Sequence, residues 1–518
     1  MGQAGTAVKT AERELWGHPK GLYVCFFTEM WERFSFYGMK FLLVLYLTKY
    51  HLFSDAGGLD VLGAYAGLVY ALPVIGGVLA DRYLGPRKAV LFGGVLLVLG
   101  HLLMAVEGDQ AHVVNGQVIR DTAALDVFYL ALALIIVGVG FLKPNISTIV
   151  GNLYPENDPR RDSGFTIFYM GINLGSFSAT LICGYLGETY GWKYGFGAAG
   201  IGMAIGLVTF LYGQRYLGHY ADPPRPEELR EKVLGFIPRE WAIYLGAIMA
   251  LPVMWYMVQR EHWVHNTQWG LLALAVGGMM FYAFMKTEKV HRDRLIVLMV
   301  LILFSIIFWA LFEQAGASMT LFADRVLNRD VFGFEIKASM FGSLNAFFII
   351  VLAPFFAWLW VWLARRRLEP STPAKFGLGL IQAGLGFGAL VLGISMPESS
   401  GKVAAVWLVL AYLLHTTGEL SLSPVGLSAV TKLSPQKIVG FSMGTWFLAT
   451  ALSETLATRL SKLAASDFPV SAGEALNLAE QAAKYSDLFE LLFKMGVVSG
   501  IVLLLLTPVL KKMTHGVH

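Results

Sequence analysis

Runs of about 20 apolar residues, parted by short polar stretches, recur along the whole chain, and that length is what a helix needs to cross about 30 Å of hydrocarbon. Fourteen such runs can be delimited, near 21–50, 60–81, 88–106, 124–151, 164–186, 194–214, 240–258, 267–285, 295–324, 338–364, 376–396, 403–431, 438–461 and 486–510. A chain that stays in lipid must satisfy every backbone N–H and C=O internally, which leaves helices as the spanning element for runs this long. Composition agrees: only 15% of the 518 residues are charged and 56% are apolar, against about 25% charged in soluble chains. The expected fold class is an all-α polytopic membrane protein. Residues 1–20 are polar and lack the apolar core of a signal peptide, so no cleavage is expected there.

Lysine and arginine alternate across these spans. One set of connections holds 25 of the 40 basic residues and the other set 12, while Arg33, Lys40 and Lys143 fall inside spans. The positive-inside bias places both termini in the cytoplasm, as an even number of spans requires. Six spans precede residue 215, two lie between 240 and 285, and six follow 294. The expected organisation is an N-terminal six-helix bundle over 1–214, a connector with two additional helices over 215–293, and a C-terminal six-helix bundle over 294–518. Two halves of that kind are a transporter architecture with the site near the bilayer midplane.

The stretch "EMWERFSFYGMK", Glu29 to Lys40, is the strongest functional signal. Charges in hydrocarbon are costly and need a purpose. At 100° per residue, Glu29, Glu32, Arg33, Phe36, Tyr37 and Lys40 fall within an arc of about 140°, so the ionisable groups share one helix face. Helix-gluing ion pairs are the bland reading; proton handling and ligand binding suit two acids beside two bases better. Further ionisable groups within spans are Lys143 in the first half and Glu313 and Glu419 in the second. A basic pair, Arg33 and Lys143, set against an acidic pair, Glu313 and Glu419, matches a zwitterion such as an amino acid or peptide. Lys143 and Glu419 could instead pair with each other as a structural lock, and the two roles can coexist in a gate.

Other features exclude more than they assign. His415 shares a helical face with Glu419, and packing is its better reading. The two cysteines, Cys25 and Cys183, lie within apolar runs and read as packing residues. No histidine or cysteine cluster has metal-ligand spacing, and no G-x-x-x-x-G-K-[ST] stretch supports ATP-driven transport. No cofactor beyond the proton as coupling ion and no nucleic-acid partner is expected. In "GGVLADRYLGPRKAVLFGG" the glycines permit close helix approach, and Asp81, Arg82, Arg87 and Lys88 sit at the cytoplasmic edge, as a tight turn or a conformational latch. Pro73, Pro144, Pro354 and Pro424 can kink spans and free backbone groups that line a cavity.

"EMWERFSFYGMK" resembles the E-x-x-E-R motif of the proton-dependent oligopeptide transporters, a branch of the major facilitator superfamily. "GGVLADRYLGPRKAV" and "FYMGINLGS" are similar to that family's two signatures, and "GFLKPNIS", "FWALFEQ", "SLNAFFIIVLAPFFAWLW" and "GELSLSPVGLS" to further blocks. These pieces run from residue 29 to about 446 in family order. The resemblance implies a major facilitator fold, here two six-helix bundles plus an inserted pair as in bacterial members. It implies proton-coupled import of di- and tripeptides by alternating access, as a monomer in the bacterial inner membrane, and no enzymatic activity. It further implies that Glu29, Glu32 and Arg33 couple protons, with Lys40 and Glu313 as a pair that responds to protonation. Arg33 and Lys143 would meet the peptide carboxylate and Glu419 the amino terminus, with Ser423 nearby. Tyr37, Tyr70, Asn173 and Asn345 would hydrogen-bond the peptide, and Trp309 and Trp446 would shape side-chain pockets.

Two positions depart from the family pattern. Many members read "ERFSYYGMR", where this chain has Phe36 and Lys40. Phe36 lacks a hydroxyl, and Lys40 lacks the planar fork of arginine. The alternatives left open are another small anionic or zwitterionic solute on the same fold, a peptide sensor that does not transport, and an intramembrane hydrolase. Glu419 favours a ligand amine over a bare anion.

Overall fold

The computed structural model describes residues 14–155, 158–233, 235–465 and 477–516, apart from the side chains at 423–425 and 427. The principal helices are α1 (Lys20–Lys49), α2 (Asp55–Leu79), α3 (Pro86–Leu103), α4 (Thr122–Asn152), α5 (Arg161–Tyr190) and α6 (Trp192–Gly213). They continue with α7 (Arg239–Met249), α8 (Leu251–Val258), α9 (Glu261–Met285), α10 (Lys289–Phe312) and α11 (Ser318–Arg325). The last five are α12 (Ser343–Arg365), α13 (Thr372–Ser395), α14 (Ala405–Leu433), α15 (Val439–Ser461) and α16 (Leu478–Met513). Strands are confined to two- and three-residue pairs in the connections.

All fourteen apolar runs therefore lie on helices. Among the described residues, twelve helical stretches are long and apolar enough to cross a membrane. The two long helices outside that set are α1, which carries the buried charges, and α15, which carries Glu454, Arg459 and seven hydroxyl side chains. Fourteen crossings are compatible with this pattern. Two runs are broken where the sequence suggests continuity: α7 and α8 part at Ala250, and α10 and α11 part at a 3-10 turn over Glu313–Gly316.

Local chemistry explains several boundaries. Asp121 caps α4, accepting the Ala124 N–H at 3.0 Å, and Asn477 and Glu480 form a reciprocal box at the start of α16. A π-helical turn over Ala80–Leu84 ends α2, and Gly85, at φ 74°, lets the chain reverse into Pro86 at the start of α3.

The chain divides into two compact units. The first comprises residues up to Leu42, Ala71–Asp109 and Asp121–Val258. It includes α7 and α8, held by Lys88–Glu240 at 2.6 Å, by Phe92 stacked on Tyr244 at 4.6 Å, and by the Trp255 indole donating to the Asp126 carbonyl at 3.2 Å. The second comprises Leu43–Tyr70, Gln110–Arg120 and Gln259–His518. There α9 is fixed to α15 by a two-pronged Arg459–Glu261 pair at 2.8 and 3.1 Å and by His265 against Thr455 at 2.9 Å. In the same unit α13 and α16 pack backbone to backbone: a Cβ on Gly384 would come within 2.8 Å of the Val497 amide. Small residues of this kind replace the hydrophobic drive that lipid does not supply.

Candidate functional site

In the first unit α1 is the organising element. Glu29, Glu32, Arg33 and Lys40 are between 0% and 3% exposed. The Arg33 guanidinium donates from Nε and Nη2 to the two carboxylate oxygens of Glu32, and Nε lies 3.4 Å from Glu29 Oε1. Its Cζ sits 4.6 Å from the centre of the Phe36 ring and 5.8 Å from that of Tyr37. Two carboxylates and two aromatic faces thus compensate a buried cation, as low-dielectric surroundings demand. Phe36, 1% exposed, also lies 5.8 Å from Lys40 Nζ. Phe36, one of the two positions that depart from the resembled pattern, is therefore a cation platform between Arg33 and Lys40.

A second helix holds this arrangement in place. A Cβ on Gly171 would meet the Phe26 ring at 2.9 Å, and one on Gly175 would overlap the Met30 carbonyl and approach Arg33 Cβ at 3.2 Å. The "GINLGS" stretch is thus the seam that lets α5 touch α1 beside Arg33. Gly175→Ala is expected to destabilise the protein by about 1–3 kcal/mol through overpacking. A fall of several degrees in the unfolding midpoint in detergent checks this; an unchanged midpoint contradicts it.

Lys143 lies on α4, one residue before Pro144. The proline removes the N–H that would bond the Gly140 carbonyl, while Asn145 Nδ2 donates to the Phe141 carbonyl at 2.7 Å. Lys143 stands within electrostatic reach of Glu29, Glu32, Arg33 and Lys40. Tyr37 is half-buried beside Phe41, their ring centres 6.4 Å apart. Asn173 is turned to its own helix, donating to the Tyr169 carbonyl at 3.0 Å.

The second unit gathers the acidic candidates. Asn345 Nδ2 donates to Glu419 Oε2 at 2.9 Å and to Thr416 Oγ1 at 3.1 Å. Glu419 is 8% exposed and interacts electrostatically with Glu313. Glu313 opens the 3-10 turn that separates α10 from α11, a helix break of the sort that lines transporter sites. Gln314, fully buried, stitches the break to α15: Nε2 donates to the Ala457 carbonyl at 2.9 Å, and Oε1 accepts from Ser461 at 2.7 Å and Ser318 at 2.5 Å. Trp309, half-buried, makes edge contacts with Phe308 and Phe312. Trp446 is 6% exposed and packs on Phe376 and Gly426. Tyr70 is half-buried, and Ser423 lies outside the described residues.

The same unit contains an ion-pair set that sequence patterns did not single out. Arg325, at the end of α11, makes a two-pronged bond to Asp55 at the start of α2, and Asp55 is 1% exposed. Lys49 pairs with Asp324 and Lys462 with Asp60. Arg120 donates to the His51 and Leu52 carbonyls at 2.6 and 2.7 Å, closing the turn between α1 and α2. Nothing beyond the basic count of the connections marked these residues.

Among the described residues, no three His, Cys, Asp or Glu side chains are grouped to hold a metal.

Comparisons with known proteins agree with this geometry. A sequence profile of the POT family matches residues 87–475. "Peptide transporter YePEPT" of Yersinia enterocolitica subsp. palearctica serotype O:3 (strain YE-P4) is 38% identical over 463 residues, covering 86% of this chain and 88% of its own. "Uncharacterized transporter YclF" of Bacillus subtilis (strain 168) is 36% identical over 520 residues, covering 98% and 97%. Among solved structures, the peptide transporter POT in complex with sulfate superposes with a TM-score of 0.79 at 36% identity over 97% of both chains. A POT family transporter in complex with 5-aminolevulinic acid gives 0.78 at 28% identity over 96% and 98%. The fold is the major facilitator type, and the chain belongs to the POT family.

Proposed function

We propose that the chain is a proton-coupled symporter that imports di- and tripeptides by alternating access. In this reading it works as a monomer in a bacterial cytoplasmic membrane with both termini inside, and it has no enzymatic activity. Two six-helix halves, 1–214 and 294–518, would flank a connector and inserted helix pair at 215–293. The observation that carries the reading is the buried Glu29–Glu32–Arg33 cluster on α1, in a chain whose relatives include a peptide transporter. Arg33 and Lys143 take the peptide carboxylate, and Glu419, steadied by Asn345, takes the amine. Tyr37, Tyr70, Asn173 and Ser423 complete the polar contacts, with Trp309 and Trp446 around the side chains. Protonation at Glu29, Glu32 or Glu313 weakens the bridges to the bases, and Lys40 responds with them. The freed bases then hold peptide, and re-formation of the bridges on deprotonation releases it.

The amine contact has a direct test in competition against radiolabelled dialanine in proteoliposomes. N-acetylation of the competitor removes the charge that Glu419 meets and is expected to weaken competition about 100-fold, as for a buried carboxylate left unpaired. In Glu419→Gln, free and acetylated competitors are expected to differ by about threefold or less. Equal competition by both against the wild-type protein contradicts the assignment. The POT transporter solved with 5-aminolevulinic acid favours one further reading, uptake of small amine–carboxylates, which the same competition series measures.

A further inference from the structure

Trp16 stands in a hairpin loop whose backbone favours asparagine. Glu14–Leu15 pairs with His18–Pro19, so Trp16 and Gly17 form the loop, at φ 49° and 78°. A two-residue loop with both φ values positive favours Asn-Gly. The chain uses Asn115–Gly116 in the equivalent loop between His112–Val114 and Gln117–Ile119. A bulky side chain at the first position is strained, and Trp16 recovers little by packing, being 82% exposed beside Leu15 at 40%. Local rules of this kind are broken mainly where function requires it.

The hairpin is fastened through its polar atoms, which leaves its apolar side chains outward. Arg160 Nη1 donates to Glu14 Oε1 at 3.1 Å and to the Gly17 carbonyl at 3.0 Å. His18 Nδ1 meets the Tyr154 hydroxyl at 2.8 Å, and the Tyr23 hydroxyl donates to the Leu15 carbonyl at 3.0 Å. The Trp16 ring stands edge-on to Tyr23, their centres 5.6 Å apart, level with the first turn of α1. With 30 residues, α1 is about 45 Å long at 1.5 Å per residue, the thickness of a bilayer with its headgroup layers. Its first turn therefore lies in a headgroup layer.

Cations without acidic partners share that level. Gly21 packs on the end of α6, where an added Cβ would lie 3.1 Å from the Tyr216 carbonyl oxygen. Lys20 Nζ stands 5.8 Å from the centre of the Tyr216 ring, and Arg215 Cζ 4.9 Å from it. Among the described residues neither cation has a carboxylate within ion-pair distance. Tyr216 is 41% exposed and Tyr212 78%.

We propose that the Glu14–Pro19 hairpin is a membrane-interface anchor, with Leu15 and Trp16 in the headgroup layer and Lys20 and Arg215 holding the phosphate of an anionic phospholipid beside them. Tryptophan and tyrosine favour this layer because their rings are apolar and carry one polar group. In the proposed orientation this end is cytoplasmic, where anionic lipids make the leaflet negative and attract lysine and arginine. The anchor fixes the start of α1, the helix that carries Glu29, Glu32 and Arg33, and is independent of the solute carried.

Two measurements on the full chain test it. Cys25 and Cys183 are buried, so a nitroxide on Leu15→Cys in nanodiscs reports on the hairpin with Trp16 intact. Its depth is expected to fall between phosphatidylcholines labelled in the headgroup and at the fifth acyl carbon; a reading equal to bulk water overturns the anchor. The second measurement is the unfolding midpoint in detergent with phosphatidylglycerol, phosphatidylcholine or glycerol phosphate added at equal concentration. Phosphatidylglycerol is expected to raise it by several degrees, phosphatidylcholine by less, and glycerol phosphate not at all. The double variant Lys20→Gln/Arg215→Gln is expected to lose about half or more of the phosphatidylglycerol increment. Equal increments from both lipids, or a full increment in the double variant, overturn the phospholipid site. A rise with glycerol phosphate overturns it too, in favour of a small-anion site. Neither measurement uses peptide, so failure here leaves the symport reading standing, and loss of dialanine uptake leaves the anchor standing.

Discussion

Glu32→Gln is expected to reduce proton-gradient-driven dialanine uptake about 100-fold, the scale set by removing one partner of a buried ion pair. Arg33 uses two nitrogens on Glu32 and keeps only the longer 3.4 Å approach to Glu29. Without the Glu32 charge, the guanidinium has one weak anionic neighbour and two aromatic faces. Its bridge can no longer be made and broken by a proton on Glu32. Counterflow of labelled against unlabelled dialanine is expected to survive, because it requires binding and conformational exchange without net proton flux. Retention of full gradient-driven uptake contradicts the coupling role of Glu32. Loss of counterflow as well indicates that the cluster is needed to hold the fold or the peptide.

The second large effect belongs to Asp55 and Arg325. This two-pronged pair ties the start of α2 to the end of α11 inside one compact unit, with Asp55 1% exposed. In the proposed orientation it lies at the non-cytoplasmic ends of the helices. Asp55→Asn leaves the Arg325 charge buried and is expected to cost about 3–5 kcal/mol. Replacing both residues by leucine removes the charge problem, and a buried pair exchanged for packed apolar groups is often neutral or stabilising by about 1–4 kcal/mol. Thermal unfolding in detergent is therefore expected to show a drop of several degrees for the single variant and recovery in the double. A single variant as stable as wild type contradicts the structural weight given to this pair.

The sequence carried much of this outline because membrane helices obey a length rule and because buried charges are rare enough to stand out. Apolar runs located every principal helix, and the wheel over Glu29–Lys40 anticipated a buried face shared by Glu29, Glu32, Arg33 and Lys40. The Asn345–Glu419 contact joins two residues named separately from the family resemblance. Long-range partners were less legible. Arg325 and Asp55 are 270 residues apart, and each looks like an ordinary terminal charge on its own helix. Gln314 stood beside Glu313 in plain sight, but its role depends on a helix break that apolar periodicity, continuous through 295–324, conceals. Phe36 changed most in meaning, from a lost hydroxyl to a ring seated beneath Arg33 and beside Lys40.

The central claim is that a proton gradient drives a peptide through this protein. Proteoliposomes holding the purified chain, with an acidic exterior and radiolabelled dialanine outside, test it together with a pH dye trapped inside. The account predicts dialanine accumulation above the external concentration, acidification of the lumen that depends on added peptide, and collapse of both by a protonophore. Dialanine that only equilibrates, with no peptide-dependent proton entry, contradicts it.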